Sequence, residues 1–386
     1  MHRGRLGRAT ARALSGSLRA VGHRRAVLCV ALTPELVAAA SAHGVQGPVL
    51  QRASTRDAHR AALQREVHRS LACYQRCLTD LRVVAAALGA AGIPFLVVKG
   101  PALASQFYGD PSLRASVDLD ILVRPHHLSR ALEALENSSC QLVDANWPLL
   151  TAVEVHELRL LAPSGGAIDL HWSLGPGAGH DAYAPAVETL LERSQSIVID
   201  GVSVRTLDWA DTVVHLAVHA ASSGGNRLIW CADLRAVLAQ APSDAADLLV
   251  SRAEEWRARP ALHLMLVRAQ HSLGTPLSHR LLERLSPSRP WSALVRFTEW
   301  IAPVSQAAPG PSLTRIVARS ARTDARTSWA RLFSKALQVL KHGSDRTSPL
   351  DLRNPDDPRS GLFPAGGPEG RAAFVAGVVS ASAEIH

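Results

Sequence analysis

Residues 93–123 read IPFLVVKGPALASQFYGDPSLRASVDLDILV. An apolar run from Ile93 to Val98 stops abruptly at Lys99-Gly100, a helix-like segment follows over 101–108, and Gly109-Asp110-Pro111 makes a turn. The stretch closes on VDLDILV at 117–123. On a strand, successive side chains point to opposite faces, so Asp118 and Asp120 share one face while Val117, Leu119 and Ile121 share the other. Two carboxylates on one face of an otherwise apolar strand are expensive to bury unless a cation neutralises them. A hard divalent cation such as Mg²⁺, held by one or two carboxylates plus substrate phosphates, is the usual solution.

Outward from this stretch the pattern is clear on both sides. Upstream, Leu63, Val67, Leu71, Tyr74, Leu78, Leu81, Ala85 and Leu88 recur at three-and-four spacing, which predicts a long helix from cap candidates Ser54 and Thr55 to Gly89 or Gly92. Further upstream, Thr33 as N-cap, Pro34 and Glu35 predict a helix to about Ala42. Downstream, Pro125 opens a helix with Leu128, Ala131, Leu132 and Leu135 on one face. The segments 157–162 and 167–172 flank Pro163-Ser164-Gly165-Gly166 and read as a β-hairpin. In its second strand Asp169 and His171 share one face, opposite Ile168, Leu170 and Trp172, so a third carboxylate sits on a strand able to lie beside the first pair. From 207 onward the pattern is helical: 207–221, 227–240, 243–257, 260–273, 277–286 and 291–302, then a basic helix over 313–340. The region from 342 to about 370 is rich in Pro, Gly, Asp and Ser, and reads as disordered.

The 386 residues exceed the needs of one small core and favour two domains. The net charge of +9 is concentrated at the ends. Residues 1–25 contribute +7, residues 313–342 contribute +6 and the tail from 343 contributes −2, which leaves 26–312 at −2. A body of that charge is not a basic nucleic-acid platform. Five scattered cysteines, with Cys73 and Cys77 lacking a second pair to complete a zinc site, point to a reduced, cytoplasmic protein. Arg24-Arg25 and the apolar run after it imitate a twin-arginine export signal, but Thr33-Pro34-Glu35 breaks that run, so export is not expected. No transmembrane segment is expected either, since Gly89, Gly92 and Pro94 interrupt the apolar run nearest the motif.

These residues resemble a known family. The segment 96–103, LVVKGPAL, is similar to the opening motif of the uncharacterised nucleotidyltransferase-like proteins of the DNA polymerase β-like superfamily. The segment 114–123, RASVDLDILV, looks like their Asp-x-Asp strand, and 168–172, IDLHW, looks like their third-carboxylate strand. Here Lys-Gly stands where the wider superfamily has Gly-Ser or Gly-Gly, and the gap from Gly100 to Asp118 is long, as in this subgroup. The resemblance spans roughly 30–300. It implies an α+β protein: a small mixed-sheet nucleotidyltransferase core with flanking helices, followed by an all-helical C-terminal domain. It also implies transfer of a nucleoside monophosphate from an NTP. The expected layout is a basic, disordered arm over 1–25, N-terminal helices over 26–92, the core over 93–205, a helical domain over 206–341 and a mostly disordered tail over 342–386.

The chemistry of the residues agrees with that implication. Two Mg²⁺ ions bridged by Asp118 and Asp120 would neutralise the α-phosphate, and Asp169 could ligate the nucleophile-side metal and draw the acceptor proton. Gly100, between strand and helix, lets backbone N–H groups approach the triphosphate. Lys99 and Arg114 are placed in sequence to pair with phosphates, and His171 stands beside Asp169. Each residue also has a structural reading: Lys99 as an exposed strand end, Arg114 as a solvated loop residue, His171 as a hydrogen-bonded neighbour. Asp211, His215 and His219 form a rival stripe at i, i+4 and i+8. They read as structural groups, as a cleft for nucleotide or acceptor, or as a zinc site lacking the Glu of a metalloprotease helix. Asp233 reads as an internal cap or ion-pair partner. Two functions stand: a Mg²⁺-dependent nucleotidyltransferase acting on an acceptor hydroxyl or amine of a small molecule, peptide or protein side chain, and a non-catalytic module of the same fold that binds a nucleotide or a partner protein.

Overall fold

A computed structural model describes residues 10, 11, 13–15, 30–175, 184–304, 313–321, 323–342 and 360–383. The chain divides into two compact units. One is built on a sheet and takes in 72–105, 116–208 and the stretch from 349 onward. The other is helical and takes in the residues up to 71, then 106–115 and 209–348. The α+β class with a mixed sheet and a following helical region is the one expected.

Seven strands among the described residues form the sheet: β1 (Phe95–Val97), β2 (Asp118–Val123), β3 (Gln141–Leu142), β4 (Glu157–Leu161), β5 (Ala167–His171), β6 (Gln195–Ile199) and β7 (Val202–Thr206). Their order is β3-β4-β5-β2-β1-β7-β6. β2 runs parallel to β5 and antiparallel to β1, while β4 and β5 form the expected hairpin. Leu119, Ile121, Ile168 and Leu170 are wholly buried, as the alternation requires, and pack with Leu78, Leu81, Val84 and Leu88. Those last four lie on the helix Arg60–Ala90, whose residues from 72 belong to this unit. The helix ends where Gly92 turns left-handed, at φ +64°, and the Ile93 N–H bonds back to the Leu88 carbonyl at 2.9 Å. It starts at Arg60 rather than at Ser54. Asp57 takes the capping role, accepting from the His59 N–H at 2.9 Å, while Ser54 closes only a local turn.

The tail differs from expectation. Residues Gly367–Ala383 form a helix, and its Phe374 is buried against Trp147 and Trp172, with ring centroids 5.4 and 5.8 Å away. The Pro- and Gly-rich residues before it masked a run of Ala, Val and Phe able to bury one face. Most of 343–366 lies outside the described residues.

In the helical unit, Thr33 caps the helix Pro34–His43, its hydroxyl accepting from the Leu36 N–H at 3.2 Å. The six helices expected over 207–302 are present as Trp209–Ser222, Leu228–Leu238, Ala245–Glu255, Arg259–Leu273, His279–Leu285 and Arg289–Ile301. Trp256 and Trp291 fill their core. The basic helix expected over 313–340 is two helices, Leu313–Ser320 and Ala325–His342. Asp324 makes the break: its carboxylate accepts from the Thr327 N–H at 2.8 Å, which starts a new helix. Within the expected N-terminal arm, Thr10, Ala11, Ala13, Leu14 and Ser15 are helical, with Ala11 and Leu14 buried. The rest of 1–29, including the Arg24-Arg25 pair, lies outside the described residues. Among the described residues no helix is long and apolar enough to cross a membrane.

Candidate active site

The sheet register assembles the site. Parallel pairing sets Asp120 level with Asp169, and Asp118 level with Ala167. Antiparallel pairing in the hairpin sets Arg159 opposite Asp169 and Glu157 opposite His171. Paired residues share a face, so Asp118, Asp120, Asp169, His171, Glu157 and Arg159 all lie on one side of the sheet. Lys99 joins them from the end of β1, where the Val98 N–H bonds the Asp120 carbonyl at 3.2 Å. Gly100 then adopts φ +51° and ψ −119°, and a Cβ there would lie 3.0 Å from the Asp118 carbonyl oxygen. Only glycine lets the chain leave Lys99 so close beneath β2.

The buried Asp120 carboxylate is the centre of the cluster. Lys99 Nζ lies 2.8 Å from its Oδ1, and His171 Nε2 lies 3.1 Å from the same atom. Burial alone would raise this carboxyl, but Lys99 and His171 outweigh it and hold Asp120 well below the usual carboxylate range. Asp120 in turn outweighs the burial of Lys99 and keeps it charged. His171 faces a second carboxylate at Nδ1, with Glu157 Oε2 3.4 Å away. Burial would lower it, but Glu157 and Asp120 outweigh that and raise it above the usual imidazole range. Asp118 goes the other way. Burial, then the neighbouring Asp120 charge, push its carboxyl up to about 6.

Asp169 is held by a residue that sequence reasoning missed. Arg159 donates from Nε to Asp169 Oδ1 at 2.7 Å and from Nη2 to Oδ2 at 2.6 Å. Its Nη2 is also 3.9 Å from Asp118 Oδ2. Given the hairpin, the alternation Glu157, Arg159 against Leu158, Leu160 was signal enough to find it.

Asp118, Asp120 and Asp169 were expected to form the metal site. Three carboxylates on one sheet face are the hard-oxygen donors that Mg²⁺ takes. Burial, then the Asp120 charge, disfavours the anionic form of Asp118. The donor set therefore fits a divalent cation. As the side chains stand, however, no three His, Cys, Asp or Glu among the described residues are arranged to hold a metal ion. Asp169 is turned onto Arg159, and Asp120 onto Lys99 and His171.

The remaining candidates lie in the helical unit. Arg114, expected to meet phosphate, is buried and instead donates to Asp233 from Nε at 3.1 Å and from Nη2 at 3.2 Å. Tyr108 donates to the same carboxylate at 2.6 Å. Asp233 is thus the internal ion-pair partner that the sequence suggested, and Arg114 is the partner. Among the described residues, the Asp211, His215, His219 stripe is not arranged to hold a metal ion. Asp211 accepts from Trp256 Nε1 at 2.7 Å, His215 stacks near Trp256 at 6.3 Å, and His219 meets Trp230 at the same separation. In the sheet unit, the buried Cys77 Sγ lies 3.5 Å from the Asp118 carbonyl, and burial pushes its thiol up to about 12.

Residues 32–274 match the family model described as an uncharacterised nucleotidyltransferase, and the chain belongs to that family. Among curated proteins there is no match. Among solved structures, the solution structure of the antibiotic-resistance factor ANT(2'')-Ia aligns over 58% of this chain and 93% of that chain, at 13% identity and a TM-score of 0.29. That score is too low to bear on the chemistry.

Proposed function

We propose that this member of the uncharacterised nucleotidyltransferase family transfers a nucleoside monophosphate from an NTP to a hydroxyl or amine of a small molecule, peptide or protein side chain. The observation that carries the proposal is the register that sets Asp120 level with Asp169, two residues from Asp118, with Lys99 against the same carboxylate. Asp118 and Asp120, with Asp169, would hold Mg²⁺, which when bound supplies charge neutralisation at the α-phosphate. The acceptor oxygen or nitrogen bonds to the α-phosphorus, the bond from that phosphorus to the bridging oxygen breaks, and pyrophosphate leaves. Asp169 takes the acceptor's proton. Lys99 brings a buried positive charge to the phosphates, and Gly100 leaves room for the backbone beside them. His171, set between Glu157 and Asp120, fixes the Asp120 carboxylate in place.

The engagement of Asp169 by Arg159 favours a second reading, a non-catalytic module of this fold that binds a nucleotide or a partner protein. One experiment separates the two. The protein is incubated with Mg²⁺, cell extract and each labelled NTP in turn, and products are found by their added nucleotide mass. Transfer by the wild type and none by Asp118→Asn supports the enzyme; no labelled product from any NTP sinks it.

A further inference from the structure

The carboxylates that would receive a metal already have a cation among them. We propose that Arg159 is a built-in counter-cation, which neutralises Asp169 in the metal-free protein and must leave it before a metal binds there. The inference rests on the metal-binding reading above and adds to it a step of exchange.

The hairpin register places Arg159 directly across from Asp169, on the same face of the sheet. Its Nε and Nη2 form the two-pronged contact that a guanidinium makes with a carboxylate, which uses both Asp169 oxygens. Arg159 also reaches toward Asp118, on which Lys99 acts as well. Lys99 Nζ and His171 Nε2 meet Asp120 Oδ1, while Arg159 Nη2 lies 3.9 Å from Asp118 Oδ2. The two partners differ in freedom. The Asp169 side chain is 6% exposed, whereas that of Arg159 is 27% exposed. The long side chain at the solvent edge is the one able to move. A cation entering between Asp118 and Asp169 is repelled by the guanidinium and competes with it for the same oxygens, so the two exclude each other.

The test is a titration with Mn²⁺ alone, without nucleotide, read by loss of the free-ion EPR signal. Arg159→Met is expected to bind Mn²⁺ about tenfold more tightly than the wild type, since a charge-assisted pair no longer has to be broken. Arg159→Lys keeps the charge but not the fork, and is expected to bind Mn²⁺ several-fold more tightly than the wild type. It also serves as the measurement should the methionine variant fail to fold. Wild-type affinity in Arg159→Lys means that the charge acts only through its field, and overturns the exchange. Wild-type affinity in both variants, or binding by neither, overturns it too. Asp118→Asn separates the underlying reading: retention of wild-type Mn²⁺ binding there shows that the carboxylates are not the metal site, whereas loss of binding with unchanged Arg159 variants sinks the exchange alone.

Discussion

Replacing Asp118 by Asn should make the metal-free protein more stable, and only above a certain pH. In the folded state this carboxyl titrates at about 6 against 3.8 for an unperturbed one, because burial and Asp120 disfavour its charge. A carboxyl raised in this way binds its proton more tightly folded than unfolded. Native stability is therefore full below about 4 and declines as pH rises toward 6, beyond which the loss is complete. At about 1.4 kcal/mol per unit, a gap of some two units would amount to about 3 kcal/mol. The Asp118 side chain is 33% exposed, however, and solvent screening reduces that to about 1–2 kcal/mol. Asparagine preserves shape and removes the charge, so in EDTA at pH 7.5 the variant should melt about 1–3 °C higher than the wild type. At pH 4 the two should coincide. Thermal melts followed by circular dichroism across that range test this directly. An upward shift of the same size at pH 4 and pH 7.5, or no shift at 7.5, would show that the charge of Asp118 is not frustrated and that the cluster has no unmet need of a cation.

Asp120→Asn should behave oppositely, because it strips Lys99 and His171 of their shared partner; a loss of about 3 kcal/mol is expected, and an unchanged urea midpoint would refute the pairing. In the helical unit, Arg114→Met alone should destabilise by a similar amount, about 3 kcal/mol, whereas Arg114→Met with Asp233→Leu should recover most of it. If the double variant is no better than the single, the pair is not the source of the loss. Gly166→Ala should be poorly tolerated, since its Cβ would lie 2.0 Å from Asp80 Oδ2, and expression of a stable Gly166→Ala protein with unchanged melting would contradict the close approach of Asp80 to the hairpin.

What the sequence disclosed followed the strength of its periodicities. β2, the hairpin and the helices between Trp209 and Ile301 all carry a two-fold or 3.6-fold repeat, and each formed nearly where expected. The face shared by Asp118 and Asp120 was legible for the same reason, and so was Asp169. Arg159 and Glu157 were equally legible in principle, because counting back across the turn at 163–166 pairs them with Asp169 and His171. The β6–β7 hairpin had its own signal too, Asp200-Gly201 between two alternating apolar runs, and both turn residues take positive φ. Arg114 was different. It sits in an irregular loop whose partner, Asp233, is 119 residues away, and no local pattern encodes a contact of that range. The stripe of Asp211, His215 and His219 left its three readings open for the converse reason: helical spacing puts side chains on one face without saying what packs against that face, here Trp256 and Trp230.

The helix at Gly367–Ala383 bears on how the molecule is made. Phe374 closes over Trp147 and Trp172, Arg371 grips Glu136 with both prongs at 2.9 and 2.8 Å, and the Ala365 N–H bonds the Ala145 carbonyl at 3.1 Å. Trp172 follows directly on His171, at the end of the strand that carries Asp169. During synthesis the strands bearing the carboxylates leave the ribosome about 200 residues before the segment that covers this side of their core. The intervening helical unit is translated while the sheet still lacks that cover. The sheet's completion is thereby tied to translation of residues 360–383, and a ribosome that stalls before them releases a chain with the whole carboxylate cluster in its sequence and an unsealed apolar face behind it.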